Sequence, residues 1–185
     1  MGLIPRRARL VFDGTIFKIY RWRQRMYDGS YAVFEKARMK HTVKIIAVAG
    51  GKVMVTREMQ PHLKQPRIGL FGGGIEGGET PLGAAKRELR EEAGLASGDW
   101  KLLHVATPLG GSIDWKVYMF VARDCVRAGT PAPDSGERIT FRAVGFDEFL
   151  EIADKRMNRA VHAELVDIYH DRAKRMRFRR MLMGK

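Results

Sequence analysis

Residues 72–95 read GGGIEGGETPLGAAKRELREEAGL, and this stretch decides the fold. Thr80 is a good N-cap, and Pro81 suits the first helical position because its missing N–H has no partner there anyway. Gly94 fits the left-handed position that stops a helix. The spacing therefore predicts a helix over residues 81–93. Leu82, Ala85, Leu89 and Ala93 form its apolar stripe. Beside that stripe, Glu88 stands three and four residues before Glu91 and Glu92, so three carboxylates crowd one side. Like charges at this spacing repel, and a hard divalent cation such as Mg²⁺ or Mn²⁺ turns that repulsion into binding. The glycines before the helix let backbone carbonyls come close to such an ion.

Outward from this helix the chain reads as strands, then strands again, then helices. Val11-Phe12 and residues 15–20 are rich in β-branched and aromatic side chains, and Asp28-Gly29 marks a hairpin turn before residues 31–34. An apolar run over 42–49 turns at Gly50-Gly51 into a second strand over 52–56. Residues 61–79, with two prolines and clustered glycines, read as mostly loop. Strands follow at 115–121 and 139–144. A helix is expected from Asp147, and a second one capped by Asn158 runs into a basic tail. Strands, helix, strands and helices in that order define an α+β chain rather than alternating βαβ units.

Composition narrows the function. The chain has 185 residues, enough for one core, and 45% of them are hydrophobic, as in a packed globular protein. No apolar run approaches the roughly 20 residues that span a bilayer. A single cysteine, Cys125, excludes an internal disulfide and fits a reducing compartment, the cytoplasm. The net charge is +13, but it sits at the two ends. Residues 1–44 hold 11 Lys/Arg against 3 Asp/Glu, and residues 171–185 hold 7 against 1. The basic tail reads as a solvated helix end, so nucleic acid is not the favoured partner. The five histidines show no ligand spacing, and Trp22, Trp100 and Trp115 read as packing residues.

The segment resembles the Nudix hydrolase family. Gly73, five residues, Glu79, seven residues and then Arg87-Glu88-Leu89-Arg90-Glu91-Glu92-Ala93-Gly94-Leu95 match all nine specified positions of its box. The resemblance implies a catalytic loop–helix–loop on an α/β/α sandwich with a mixed sheet, hydrolysing a nucleoside diphosphate linked to another group. It implies Glu88, Glu91 and Glu92 as metal ligands, together with the carbonyl of Gly72 or Gly73. It makes Arg87 the residue that orients the carboxylates, and Glu79 the one that holds the loop to the helix. Catalytic duty falls to Glu91, Glu92 and Arg87, with Glu137 as the candidate base from a later loop; Asp134 and Asp114 are weaker candidates. Arg57, Gly73 and Glu79 are expected on the substrate side.

Outside the box the chain is similar to the ADP-ribose and nucleotide-sugar pyrophosphatase branch. Asp28-Gly29-Ser30, Phe34-Glu35 and the segment from Val53 to Pro61 carry that likeness, although Gln60 stands where the branch often has Arg. The branch implies a homodimer built through a small N-terminal antiparallel β region, residues 1–40, ahead of a Nudix domain over 41–185. Two alternatives stay open: a nucleoside triphosphate pyrophosphohydrolase, and an RNA-directed Nudix protein, either decapping or RNA-binding.

Overall fold

The computed structural model describes residues 4–133 and 135–183, so Asp134 lies outside the described residues. Three antiparallel strands come first: β1 (Arg9–Asp13), β2 (Lys18–Arg25) and β3 (Tyr31–Arg38). The hairpin of β4 (Thr42–Ala49) and β5 (Lys52–Met59) leads to short β6 (Arg67–Gly69), the glycine loop and α1 (Pro81–Ala93). Then come β7 (Leu95–Ala96), β8 (Asp99–Ala106), β9 (Ile113–Asp114), β10 (Val117–Arg123), β11 (Val126–Arg127) and β12 (Arg138–Val144). Three helices close the chain: α2 (Phe146–Arg156), α3 (Arg159–His170) and α4 (Arg172–Met183).

The central sheet runs β12-β5-β4-β10-β8, with β6 added to β5. Its β4–β10 pair is parallel, Val117 facing Thr42 and Ala122 facing Ala47, while its other pairs are antiparallel. Side chains alternate across a strand, so each central strand feeds both faces. Val43, Ile45 and Ala47 of β4 join Phe120 and Ala122 of β10 under Ala84, Ala85, Leu89 and Ala93 of α1. Ile46 and Val48, with Met119 and Val121, pack on the opposite face against Phe149 and Leu150 of α2 and Leu165 of α3. Burial on both faces explains why β4 reads as a nearly unbroken apolar run. The result is the expected α/β/α sandwich with a mixed sheet.

β4 and β5 pair at Val48↔Val53 and Ala49↔Lys52, beside their turn, and then diverge. The glycine loop occupies the edge so exposed. Ile45 N donates to Phe71 O and Val43 N to Gly73 O, each at 2.9 Å. This ladder fixes the loop backbone beside α1.

The N-terminal sheet has a fourth member from beyond the box. β9 pairs in parallel with β3, and Arg38 Nε meets Asp114 Oδ2 at 2.9 Å. Asp114 is thereby paired with Arg38. Leu10, Phe12, Ile16 and Val33 of this N-terminal region are exposed. No helix among the described residues is long and apolar enough to cross a membrane.

The basic tail corrects its sequence reading. It is not a continuation of the preceding helix but a separate one, α4, set off by Asp171 at φ −110°, ψ 112°. The Asp171 carboxylate accepts from Lys174 N at 2.9 Å and so caps it. Nor is it only solvated: Phe178 and Leu182, four residues apart, are 4% and 1% exposed within the core. Part of its charge is already matched, Lys174 by Asp167 and Arg175 by Asp147.

Candidate active site

Local chemistry sets α1 in place. Thr80 Oγ1 accepts from Gly83 N at 3.0 Å, and Gly94, at φ +63°, turns its N–H back to the carbonyls of Leu89 and Arg90. These two caps satisfy groups that a helix leaves orphaned at its ends. The helix then presents its carboxylates to the loop. Glu92 Oε2 accepts from Gly72 N at 2.8 Å. Glu88 lies so close to Gly73 that a Cβ there would meet its Oε1 at 2.5 Å. Only glycine fits that position without displacing the carboxylate.

Arg87 gathers the rest. Its Nε donates to Glu79 Oε1 at 2.9 Å, and its Nη1 to Glu88 Oε1 at 2.9 Å and Glu91 Oε2 at 2.8 Å. Nη2 donates to Gly74 O at 2.9 Å, and Glu79 Oε2 accepts from Glu76 N at 3.0 Å. One guanidinium thus ties the loop to the helix and spaces two carboxylates, a geometry suited to its rigid fork of donors. The Arg87 bond holds the Glu79 carboxyl below its ordinary range.

Electrostatics are tightest at Glu92, which is 8% exposed. Burial pushes its carboxyl up to about 7, against the opposing pull of the Gly72 N–H and of Lys44; Glu88 and Glu137 push the same way as burial. Glu88 is raised too, chiefly by burial, with Arg87 acting against it. Carboxylates that cost this much to ionise gain from a cation.

A cavity of about 320 Å³ collects Gly72, Gly73, Glu88, Glu91, Glu92 and Glu137. Glu137 reaches it from the loop before β12, and Gln60 Nε2 bridges Glu137 Oε1 at 3.2 Å and Glu58 Oε1 at 2.5 Å. Among the described residues no three acidic, histidine or cysteine groups already stand in a metal-binding cluster. Arg87 and the Gly72 N–H hold the carboxylate oxygens instead. The donors are nevertheless all hard oxygens in one cavity, with Glu92 buried, Glu88 half-buried and both raised, and the cradle at Gly73 admits no side chain while Glu88 holds its place. These residues fit a divalent cation. The Gly72 and Gly73 carbonyls, one of which is expected as an additional ligand, accept from Lys44 Nζ at 3.2 Å and Val43 N at 2.9 Å respectively.

Arg57 is not brought to this cavity. It is exposed on β5 and opens, with Phe141 and Arg142 of β12 and Glu148 of α2, into a separate cavity. Lys44 has no place in the sequence reading, and His162 enters it only among the histidines without ligand spacing. Lys44 is a lone cation inside the apolar run of β4, and that interruption was the available signal. His162 sits among Val161, Leu165 and Ile168, the buried residues of α3. Cys125 is a buried free thiol whose pKa burial pushes up to about 11, so it is no nucleophile.

The NUDIX domain family model matches residues 39–167. The chain is 25% identical over 152 residues to the methanol dehydrogenase activator of Bacillus methanolicus, covering 80% of this chain and 81% of that protein. It is 23% identical over 148 residues to the ADP-ribose pyrophosphatase of Bacillus subtilis (strain 168), covering 79% and 80%. Among solved structures, an ADP compounds hydrolase superposes with a TM-score of 0.69 at 21% identity, over 88% of this chain and 90% of that one. The chain therefore belongs to the NUDIX domain family and is an enzyme of Nudix hydrolase type.

Proposed function

We infer that the chain hydrolyses the diphosphate bond of a nucleoside diphosphate linked to a sugar, ADP-ribose or a related nucleotide sugar. The products are a nucleoside monophosphate and a sugar phosphate. The observation that carries this reading is the convergence of Glu88, Glu91, Glu92 and Glu137 with the Gly72–Gly73 backbone in one cavity. The names of two similar proteins, an ADP-ribose pyrophosphatase and an ADP compounds hydrolase, support the choice of substrate.

Glu88, Glu91, Glu92 and the Gly72 carbonyl would hold Mg²⁺ or Mn²⁺, which when bound would supply Lewis acidity to the diphosphate and to the attacking water. The chain's own residues do the rest. Arg87 keeps Glu88 and Glu91 in register with the loop, and Glu79 holds Arg87. Glu137, steadied by Gln60, takes the proton from water as general base. Gly73 gives the substrate close access to the backbone. A panel of nucleotide sugars and nucleoside triphosphates with Mg²⁺, its products resolved by chromatography, tests the reading. Nucleotide sugars should be cleaved to monophosphates; turnover of triphosphates alone would replace the reading with triphosphate pyrophosphohydrolysis.

The same reading includes a homodimer, with residues 1–40 as the dimerising β region and 41–185 as the Nudix domain. The exposed Leu10, Phe12, Ile16 and Val33 support it, since apolar side chains left in water gain from burial against a second copy. Light scattering should return twice the chain mass. A monomer at micromolar concentration would remove this part of the reading.

A further inference from the structure

The Gly72–Gly73 backbone has a second side. There it borders a cavity of about 840 Å³ reaching from β4 and β6 to the start of α3. Its size falls within the ordinary range of small-molecule sites. Lys44 stands at the shared wall, donating to the carbonyls of Leu70 at 3.4 Å and Gly72 at 3.2 Å. Arg67 and Arg156 line the same space, as do Trp115 and Glu58.

His162 is the unusual member of this lining. It is 4% exposed, and the α3 backbone departs from helical geometry at this residue, with φ −113° and ψ 23°. Its Nδ1 lies 3.0 Å from the Asn158 carbonyl oxygen, which can only accept, so the ring proton belongs on Nδ1. Nε2 is left with a lone pair, buried and without a hydrogen-bond partner among the described residues. Such an atom is costly unless something donates to it.

We propose that this cavity seats the sugar-phosphate arm of the substrate, with His162 Nε2 accepting a hydrogen bond from a sugar hydroxyl. The proposal rests on the diphosphatase reading above and adds to it the place and the chemistry of one arm. Gly72 and Gly73 line both cavities, so a diphosphate lying over them extends naturally from one into the other. Sugar hydroxyls donate and accept at once. They match a lining in which Lys44, Arg67 and Arg156 only donate while His162 and Glu58 accept. Three cations against one carboxylate also favour a group that carries phosphate. Trp115, in the same lining, supplies apolar surface against which a sugar ring can pack.

Calorimetric titration of the intact protein with ribose 5-phosphate, mannose 1-phosphate and AMP tests the proposal. The wild-type chain should bind at least one sugar phosphate. His162→Phe should weaken that binding about tenfold and leave AMP unchanged, while His162→Gln, which keeps an acceptor, should recover part of the loss. Loss of AMP affinity alone would place the nucleoside in this cavity, and unchanged affinities would leave Nε2 to a buried water; either result overturns the proposal. So does a wild-type chain that binds neither sugar phosphate. Should His162→Phe fail to fold, singly deoxygenated analogues of the bound sugar phosphate decide with the wild-type chain. One of them should bind about tenfold more weakly, and equal affinity for all overturns the proposal. Sugar-phosphate binding that depends on His162, without cleavage of any nucleotide sugar, would sink the diphosphatase reading and leave the subsite standing. Cleavage with binding indifferent to His162 would do the reverse.

Discussion

Glu92→Gln should lower kcat by about two to three orders of magnitude while leaving the fold intact. The amide oxygen of Gln can still accept the Gly72 N–H that Glu92 Oε2 accepts at 2.8 Å, so the loop keeps its anchor. What disappears is the charge. That charge is expensive in the metal-free protein, because burial raises the carboxyl from its ordinary 4.5 to about 7. The folded chain then binds the proton more tightly than the unfolded chain does. Stability is therefore undiminished below about pH 4 and declines as pH rises through 7, by about 3 kcal/mol in all. Gln carries no such cost. Metal-free Glu92→Gln should melt above the wild-type protein at pH 8, with the gap closing toward pH 4. Calorimetric melts at the two pH values, beside kcat at saturating Mg²⁺, check both halves. Wild-type turnover in this variant would remove Glu92 from the chemistry.

The two loop glycines should separate activity from stability. At Gly73 an added Cβ meets the Glu88 carboxylate, with Oε1 at 2.5 Å, and that side chain can swing away. Gly73→Ala should thus cost no more than about 1 kcal/mol of stability. It displaces Glu88 by roughly an ångström, however, and misplacement on that scale costs about 100-fold in rate. Gly72 differs in kind. Its φ is +132°, and an added Cβ would lie 2.1 Å from the Val43 carbonyl oxygen, backbone against backbone. Gly72→Ala must break the ladder between loop and β4, and a loss of about 3 kcal/mol or more is expected. Thermal melts and kcat on both variants separate the effects. A fully active Gly73→Ala would show that Glu88 does not act from its observed position.

Much of this site was legible because its determinants are local. Thr80, Pro81 and Gly94 bound α1 by chemistry that acts within one turn, and the helix occupies the expected span, Pro81–Ala93. The long apolar strands were legible for a similar reason, since β4 and β10 are buried on both faces. Features that depend on partners distant in sequence were not. β9 has two residues and exists through its pairing with β3, some 75 positions earlier. β8 carries no clear alternation and depends on β10 for its register. The direction of Arg57 is a matter of strand parity. It shares a face of β5 with Val53 and Val55, which pack on the α2 side, and that side could not be known before the layers were. The tail misled because charge dominates its composition, while Phe178 and Leu182 suffice to bury one face. His162 was set aside with the other histidines because none shows ligand spacing, and its unpartnered Nε2 is set by backbone geometry that the spacing does not carry.

The most direct measurement is a mass balance on ADP-ribose incubated with the protein, once in Mg²⁺ and once with the metal chelated. AMP and ribose 5-phosphate should appear in equal amounts in Mg²⁺, without inorganic phosphate, and turnover should cease on chelation. Release of inorganic phosphate or ADP, or undiminished turnover after chelation, would contradict the diphosphatase reading.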